Sequence, residues 1–447
     1  MFKSIKPLRA LLLSACALAA ASTFAMSVPT PGTNEQFFPV LVFRTGPYAP
    51  NGVPWANGYV DYLKLVNARD GGINGVKVTF EECETGYATD RGVECYERMK
   101  NKGTTGASSF SPLSTGITFA LTEKVAADKI PLITMGYGRS ESTDGSVFKW
   151  NFPLMGTYWD AADVLVQHIA AKAGGIEKLR GKKVALLYHD SPYGKEPIPV
   201  LQDLAKRHGF EFQALPVVHP GIEQKSAWLQ LRQQHADYVF VWGWGVMNST
   251  ALREATAVGF PRDHMFGVWW AGAEPDVAAD PKAAIGYSAL TLQHSAERAR
   301  VHQDLLKHVY DSGQGSGRKE EVGQVLYNRG MLNAMLAVEA VRAAQRRYGN
   351  KPLTGEQVRW GVEHLDLDTA RIHALGMDGM LQPLKTSCQD HEGAHRYRMH
   401  TWDGTQWAYS SPWYESDAAR LRPLMETAAR KYAAEKQITP RDCGAEG

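Results

Sequence analysis

Residues 39–75 read PVLVFRTGPYAPNGVPWANGYVDYLKLVNARDGGING, and this stretch decides the fold. Val40, Leu41, Val42 and Phe43 form a continuous apolar run, the pattern of a parallel strand covered on both faces. The run stops at Arg44. Residues 45–54 then hold two glycines, three prolines and an asparagine, a composition that predicts a loop with free backbone amides. Pro54 suits the first turn of a helix. Trp55, Tyr59, Leu63 and Val66 recur at helical spacing, Gly71 and Gly72 stop the helix, and Asn74 with Gly75 turns the chain into Val76, Val78 and Phe80. A loop between strand and helix lies at the carboxyl end of the strand, where open α/β sheets hold ligands.

TGPYAPNG ahead of a helix that ends NARDGGING resembles the opening of periplasmic solute-binding proteins of the branched-chain amino acid (Leu/Ile/Val-binding) ABC transporter family. That family's pattern is a TGP loop, a helix and NxxGGINGxxV, and the similarity runs from about residue 35 to the C-terminus. The resemblance implies an α/β fold of the type I periplasmic binding kind: two lobes, each a mostly parallel sheet flanked by helices, joined by three crossover strands that let the lobes close over a ligand. It also implies a carrier and not an enzyme. Its expected partners are a small-molecule ligand and the membrane permease and ATPase of an ABC importer, with no cofactor, no nucleic acid and a monomeric state.

The first 27 residues precede any fold. Lys3, Lys6 and Arg9 are a basic start, residues 10–21 are apolar, and Thr23-Phe24-Ala25 offers a small-x-small cleavage site, with Ala25-Met26-Ser27 as a second choice. This is an export signal, so the expected location is the periplasm, as a soluble protein after cleavage. Leu13-Ser14-Ala15-Cys16 also resembles a lipoprotein processing box, but the apolar stretch continues past Cys16, which favours ordinary cleavage over an anchor. No later run approaches the ~18 apolar residues of a membrane span. Cleavage leaves 46 basic against 47 acidic side chains, a formal charge of −1 where the full chain has +2, and nothing in that balance suggests nucleic acid or an anionic membrane surface.

With Cys16 removed, Cys83, Cys95, Cys388 and Cys443 remain. Four cysteines allow three connectivities. In an oxidising compartment the expected bridges are Cys83–Cys95 and Cys388–Cys443. The first would close a short loop between strand and helix, which the family also tends to close.

Strands and helices alternate along the rest of the chain. The expected lobe I takes residues 34–150 and 285–376. Lobe II takes 151–284 and 377–447, including a hairpin over 396–409 turned by Asp403 and Gly404 and a helical tail over 418–436. The crossings fall near 148–152, 285–292 and 377–384.

Ligand loops follow several strands. Residues 111–116 open a helix whose amide groups and positive dipole end suit a carboxylate; Ser114 also suits a helix cap. By resemblance, Ser114 and Thr115 match the hydroxyl pair that holds ligand carboxylates. In the next loop Gly136, Tyr137 and Gly138 are candidates, and Gly138 falls where amino acid binders carry threonine. In lobe II, HDSPYG at 189–194 matches the family loop whose tyrosine, here Tyr193, reaches the ligand. Trp242 and Trp244, then Trp269 and Trp270, stand at two successive strand ends and read as pocket walls. Trp269 matches the position of the acidic residue that holds an amino acid's amine, with Glu274 as a substitute if the register differs. Arg44, Tyr48 and Arg139 border ligand loops, the arginines as possible clamps or as rim salt bridges.

An amine-binding acid that is missing, and a surplus of aromatics, favour an aromatic or short organic acid over a branched-chain or hydrophobic amino acid. A periplasmic sensor for a receptor would share the fold. Enzyme motifs fail: His391-Glu392-Gly393-Ala394-His395 matches HExxH in letters, but the zinc motif needs both histidines on one helical face, and here a glycine and an alternating strand pattern replace the helix. No metal is expected.

Overall fold

Strand Glu35–Val42 pairs in parallel with Lys77–Glu84 along its whole length. The computed structural model describes residues 34–293 and 299–445; the expected export signal and Cys16 lie outside them. Parallel bridges at Phe37–Ala107 and Phe110–Leu132, and the parallel pair Leu132–Ile133 with Asn151–Phe152, extend this first sheet. In the second sheet Glu211–Val217, Lys183–His189, Tyr238–Trp242, Met265–Gly267 and Ser288–Thr291 run parallel in that spatial order. Arg396–Trp402 then adds antiparallel to Ser288–Thr291, and Trp407–Tyr409 to it. The architecture is the expected α/β one, with mostly parallel strands covered by helices.

The deciding stretch folds largely as read. Helix Ala49–Asp70 ends at Gly71, whose left-handed φ of 68° no other residue type adopts as cheaply and whose N–H donates to the Asn67 carbonyl. Asn74 and Gly75 both have positive φ, and Ile73 and Val76 exchange hydrogen bonds of 2.7 and 3.1 Å across them, a two-residue turn of the mirror-image type. The expected loop over 45–54 is shorter, because the helix starts at Ala49. Pro50 sits where helical N–H groups have no acceptor in any case, so proline there signals an earlier start, and Pro54 lies inside the helix.

A second correction concerns residues 285–292, expected to lead the chain back to the first lobe. Ser288–Thr291 finds partners on both edges within the second sheet, so any return begins after it. Near the expected third crossing, Leu384–Lys385 pairs with Asp366–Leu367 in a separate two-stranded ladder. Helices stand at Thr115–Asp128, Tyr158–Ala173, Val246–Ala257, Val325–Tyr348 and Ala418–Lys436, the first and last where the sequence places a helix after residues 111–116 and a helical tail over 418–436. Both expected disulfides, Cys83–Cys95 and Cys388–Cys443, are formed. Among the described residues, no helix is long and apolar enough to cross a membrane.

Helices Ala49–Asp70 and Val325–Tyr348 touch backbone to backbone. A Cβ added at Gly58 would lie 1.9 Å from the Tyr327 carbonyl oxygen, and one at Gly330 would lie 1.9 Å from that of Trp55. Gly330→Ala is therefore expected to destabilise the protein by about 1–3 kcal/mol through overpacking. Urea denaturation measures this directly, and an unchanged midpoint would contradict the contact.

Candidate functional site

Six aromatic side chains, Tyr87, Tyr137, Tyr158, Tyr193, Trp244 and Trp270, close together with Leu113, Ser114 and Thr115 around a narrow cavity of about 20 Å³. Each element delivers its residue from a strand end or a helix start. Ser114 caps helix Thr115–Asp128, its Oγ accepting from the Ile117 N–H at 3.3 Å, so it serves as cap and as cavity wall at once. Tyr193 follows Lys183–His189 and donates to the Gly243 carbonyl at 2.9 Å, while the Tyr137 hydroxyl accepts from the Leu113 N–H at 2.8 Å.

Two donors in the wall are left over. Thr115 Oγ1 and Trp244 Nε1 are buried without a hydrogen bond of ordinary geometry, although the Tyr158 hydroxyl is close enough to Thr115 to feel it. Buried polar groups are normally paired. Thr115 is the first residue of the Thr115–Asp128 helix, whose free N–H groups suit an anion chemically.

The tryptophans divide differently from the expectation. Trp269 is fully buried and stacks between Tyr158 and Tyr397 at 5.9 and 5.8 Å, away from the cavity; its neighbour Trp270 is the wall residue. Trp242 is also core, edge-on to Tyr158 at 5.7 Å. The indole N–H groups of Trp269 and Trp270 both donate to the Gly136 carbonyl, at 2.6 and 2.9 Å, and the Gly136 amide donates to Leu154. Gly136 thus holds the tryptophans and has no backbone group left for a ligand. Behind Trp270 stands fully buried Arg329, 4.8 Å from the ring centre, donating to the Trp269 carbonyl and to Gln293 Oε1. Burial lowers its guanidinium to about 9 against the pull of Asp276 and Glu274.

The other candidates lie outside the cavity lining. Arg44 makes a two-pronged bond to Glu82 at 2.6 and 2.8 Å, a rim salt bridge. Arg139 pairs with Glu141 and lies over the rings of Phe119 and Tyr432. The Tyr48 hydroxyl sits between His189 and His219 at 2.8 and 2.5 Å. Glu274 accepts from the Val325 N–H at 3.1 Å, and burial lifts it to about 7.

Gly138 gains a physical reason. A Cβ there would lie 2.3 Å from Glu196 Oε2 and 2.6 Å from Thr115 Cγ2, so the space a threonine would need is filled by a carboxylate. Glu196 Oε1 accepts from the Ser140 N–H at 2.5 Å and from its hydroxyl at 2.6 Å, whereas Oε2 is buried without a partner. Burial, reinforced by the charge of Glu141, pushes this carboxyl up to about 8. Sequence reasoning missed Glu196, Tyr87 and Tyr158 as site residues. Tyr87 follows a strand as the named loops do, but the meeting of Glu196 with Gly138 has no local signal.

Residues 35–406 match a protein family described as periplasmic binding protein. A solved structure described as an ABC transporter permease from the Pseudomonas fluorescens group is 46% identical, with a TM-score of 0.84 over 92% of this chain and 99% of its own. A branched chain amino acid ABC transporter from Thermus thermophilus with bound valine reaches a TM-score of 0.72 at 21% identity, over 87% of this chain and 99% of its own. An R. palustris ABC transporter solute-binding protein in complex with benzoate reaches 0.65 at 16% identity, over 86% and 98%. The last two show a shared fold only. A search of curated protein sequences finds no match.

A carboxyl raised from its ordinary 4.5 to about 8 stabilises the fold fully at acid pH and loses that contribution as the pH rises through about 8. Relative to the wild type, Glu196→Gln is therefore expected to gain on the order of 4 kcal/mol between about pH 5 and pH 9. Urea melts at the two pH values measure this, and a pH-independent difference would contradict the buried carboxyl.

Proposed function

Because the chain belongs to the periplasmic binding protein family, we propose that it is the substrate-binding component of an ABC importer, capturing a small carboxylate, aromatic or short-chain, and handing it to a membrane permease with its ATPase. The observation that carries the ligand class is the pairing of a helix start, Ser114 and Thr115, with an aromatic cavity that holds an unused hydrogen-bond donor, Trp244 Nε1. In this reading the carboxylate takes the helix amides, Thr115 Oγ1 and Trp244 Nε1, and the body of the acid packs on Tyr137, Tyr193 and Trp270. No lysine or arginine lines the cavity, so the helix end and neutral donors supply all the anion binding. The benzoate bound to the R. palustris protein of the same fold is a ligand of this kind.

The cavity draws Ser114 and Tyr137 from the first sheet's loops and Tyr193, Trp244 and Trp270 from the second's, which supports a two-lobed closure over the ligand. The lobes would meet near residue 150, with the return after Thr291 and the last passage near residue 384. A monomer in the periplasm is the matching state.

One observation favours a second reading. Glu196 Oε2, unpaired beside Gly138, stands where it would receive an ammonium, and a buried ammonium without a carboxylate costs several kcal/mol. An amino acid such as the valine held by the T. thermophilus protein would then use Glu196, while Glu274 is occupied by Val325.

A thermal shift screen of the unliganded mature protein separates the two. Benzoate-type and short aliphatic acids are expected to raise the melting point, since a ligand at a hundred times its Kd adds ~2.7 kcal/mol. A response to leucine or valine alone, abolished in Glu196→Gln, would replace the first reading with the second. Ser114→Ala is expected to weaken binding of the active acid by about 1–3 kcal/mol, measured by calorimetric titration; unchanged affinity would remove the helix start from the site.

A further inference from the structure

The segment between strands Leu384–Lys385 and Arg396–Trp402 carries the HExxH letters but forms no helix. His391 turns away, its Nδ1 on the Asn151 carbonyl at 2.7 Å and its Nε2 on Glu363 Oε1 at 3.0 Å, so the two histidines never share a metal. Glu392 and His395 converge instead on Asp160, in the first turn of helix Tyr158–Ala173, and one donor atom from each lies within 4.8 Å of the others.

The two carboxylates are almost wholly buried, Asp160 at 2% and Glu392 at 1% exposure. Glu392 Oε1 accepts from the Tyr397 hydroxyl at 2.5 Å. Its Oε2 has no hydrogen-bond partner and stands 3.4 Å from His395 Nδ1. That spacing is long for a direct bond. It equals the edge of about 3.3–3.4 Å between two ligands of a tetrahedral ion with bonds of ~2.0–2.1 Å.

The far nitrogen of the imidazole is held as a metal ligand's would be. His395 Nε2 lies 2.8 Å from Asp390 Oδ2, and Asp390 Oδ1 is pinned by the amides of Glu392 and Gly393 at 3.0 and 3.2 Å. A carboxylate on the outer nitrogen fixes the tautomer and orientation of a ligating histidine. Ser416 borders the same space: its amide donates to the His395 carbonyl at 3.2 Å and its hydroxyl hydrogen-bonds with Asp160. A surface recess bordered by Gly393, His395, Arg396 and Ser416 gives access. Two arginines of the adjoining segments are paired elsewhere: Arg420 is engaged by Asp163 at 2.6 Å, and Arg396 faces Glu415.

We propose that Asp160, Glu392 and His395 form a binding site for a divalent transition-metal cation, with Zn²⁺ the best match to two carboxylate oxygens and one imidazole, and with the Ser416 hydroxyl available as fourth ligand. The ion neutralises two carboxylates confined in one buried space and joins three segments: the start of the Tyr158–Ala173 helix, the approach to the Arg396–Trp402 strand, and the turn before the C-terminal helix. Its role is structural, separate from the aromatic cavity.

The test uses the full mature chain, stripped by a chelator and titrated with Co²⁺ as a spectroscopic probe and with Zn²⁺ in a thermal melt. One Co²⁺ per chain, with the intense visible bands of a tetrahedral site, and a melting point raised by Zn²⁺ are expected. Glu392→Gln keeps the Tyr397 contact and should fold, yet lose both responses. Asp390→Asn should weaken Co²⁺ binding about 10- to 100-fold. No uptake by the wild type, or uptake equally strong in Glu392→Gln and His395→Gln, overturns the proposal.

Discussion

One carbonyl oxygen organises the ligand cavity. Gly136 accepts hydrogen bonds from two adjacent indoles, Trp269 at 2.6 Å and Trp270 at 2.9 Å, and so ties a loop of the first sheet to a loop of the second. A left-handed φ of 72° aims that carbonyl, and an added Cβ would meet Leu292 at 2.5 Å and Trp269 at 3.0 Å. Only glycine satisfies both demands. Buried indole N–H groups need an acceptor, and sharing one lets the backbone send one ring into the core and the next into the cavity wall.

What the wall can bind follows from what it lacks. Its lining is aromatic, and the arginines of the surrounding elements are turned elsewhere: Arg329 lies behind Trp270, and Arg139 and Arg44 face carboxylates. In the proposed reading, anion affinity falls to the helix that begins at Thr115, capped by Ser114, assisted by Trp244 Nε1, which is buried without a hydrogen bond. In a dry site such neutral donors are worth more than in water, because their alternative is to stay unpaired. Glu196 sets the opposing bias, a carboxylate that remains largely protonated at neutral pH unless a cation joins it.

Much of this was legible in the sequence, for physical reasons. The Asn74-Gly75 turn, the Gly71 helix stop and the hairpin at Asp403 and Gly404 are short-range steric facts, written in the residues that make them. Ser114 and Thr115 were legible because a helix start after a strand is both a local pattern and a cleft position. The division between Trp269 and Trp270 was not. Strand Met265–Gly267 ends before them, and the two neighbouring indoles converge on one carbonyl more than a hundred residues earlier, so which of them lines the cavity is set by the tertiary fold. The same holds for Glu196, which meets Gly138 only through the tertiary fold, and for Pro50, whose composition reads as loop although its position suits a second helical residue. His395 and Asp160 likewise come together through strand pairing that no spacing announces.

The central claim is that an acid is held at the start of the Thr115–Asp128 helix with the Trp244 indole as a donor. Proton–nitrogen NMR of protein labelled at its tryptophan side chains tests it most directly, during titration with a carboxylate that raises the melting point. A large downfield shift is expected for the Trp244 Nε1–H, which gains a charged acceptor, and little change for Trp269, already bound to Gly136. A Trp244 resonance that stays in place at saturation would contradict it.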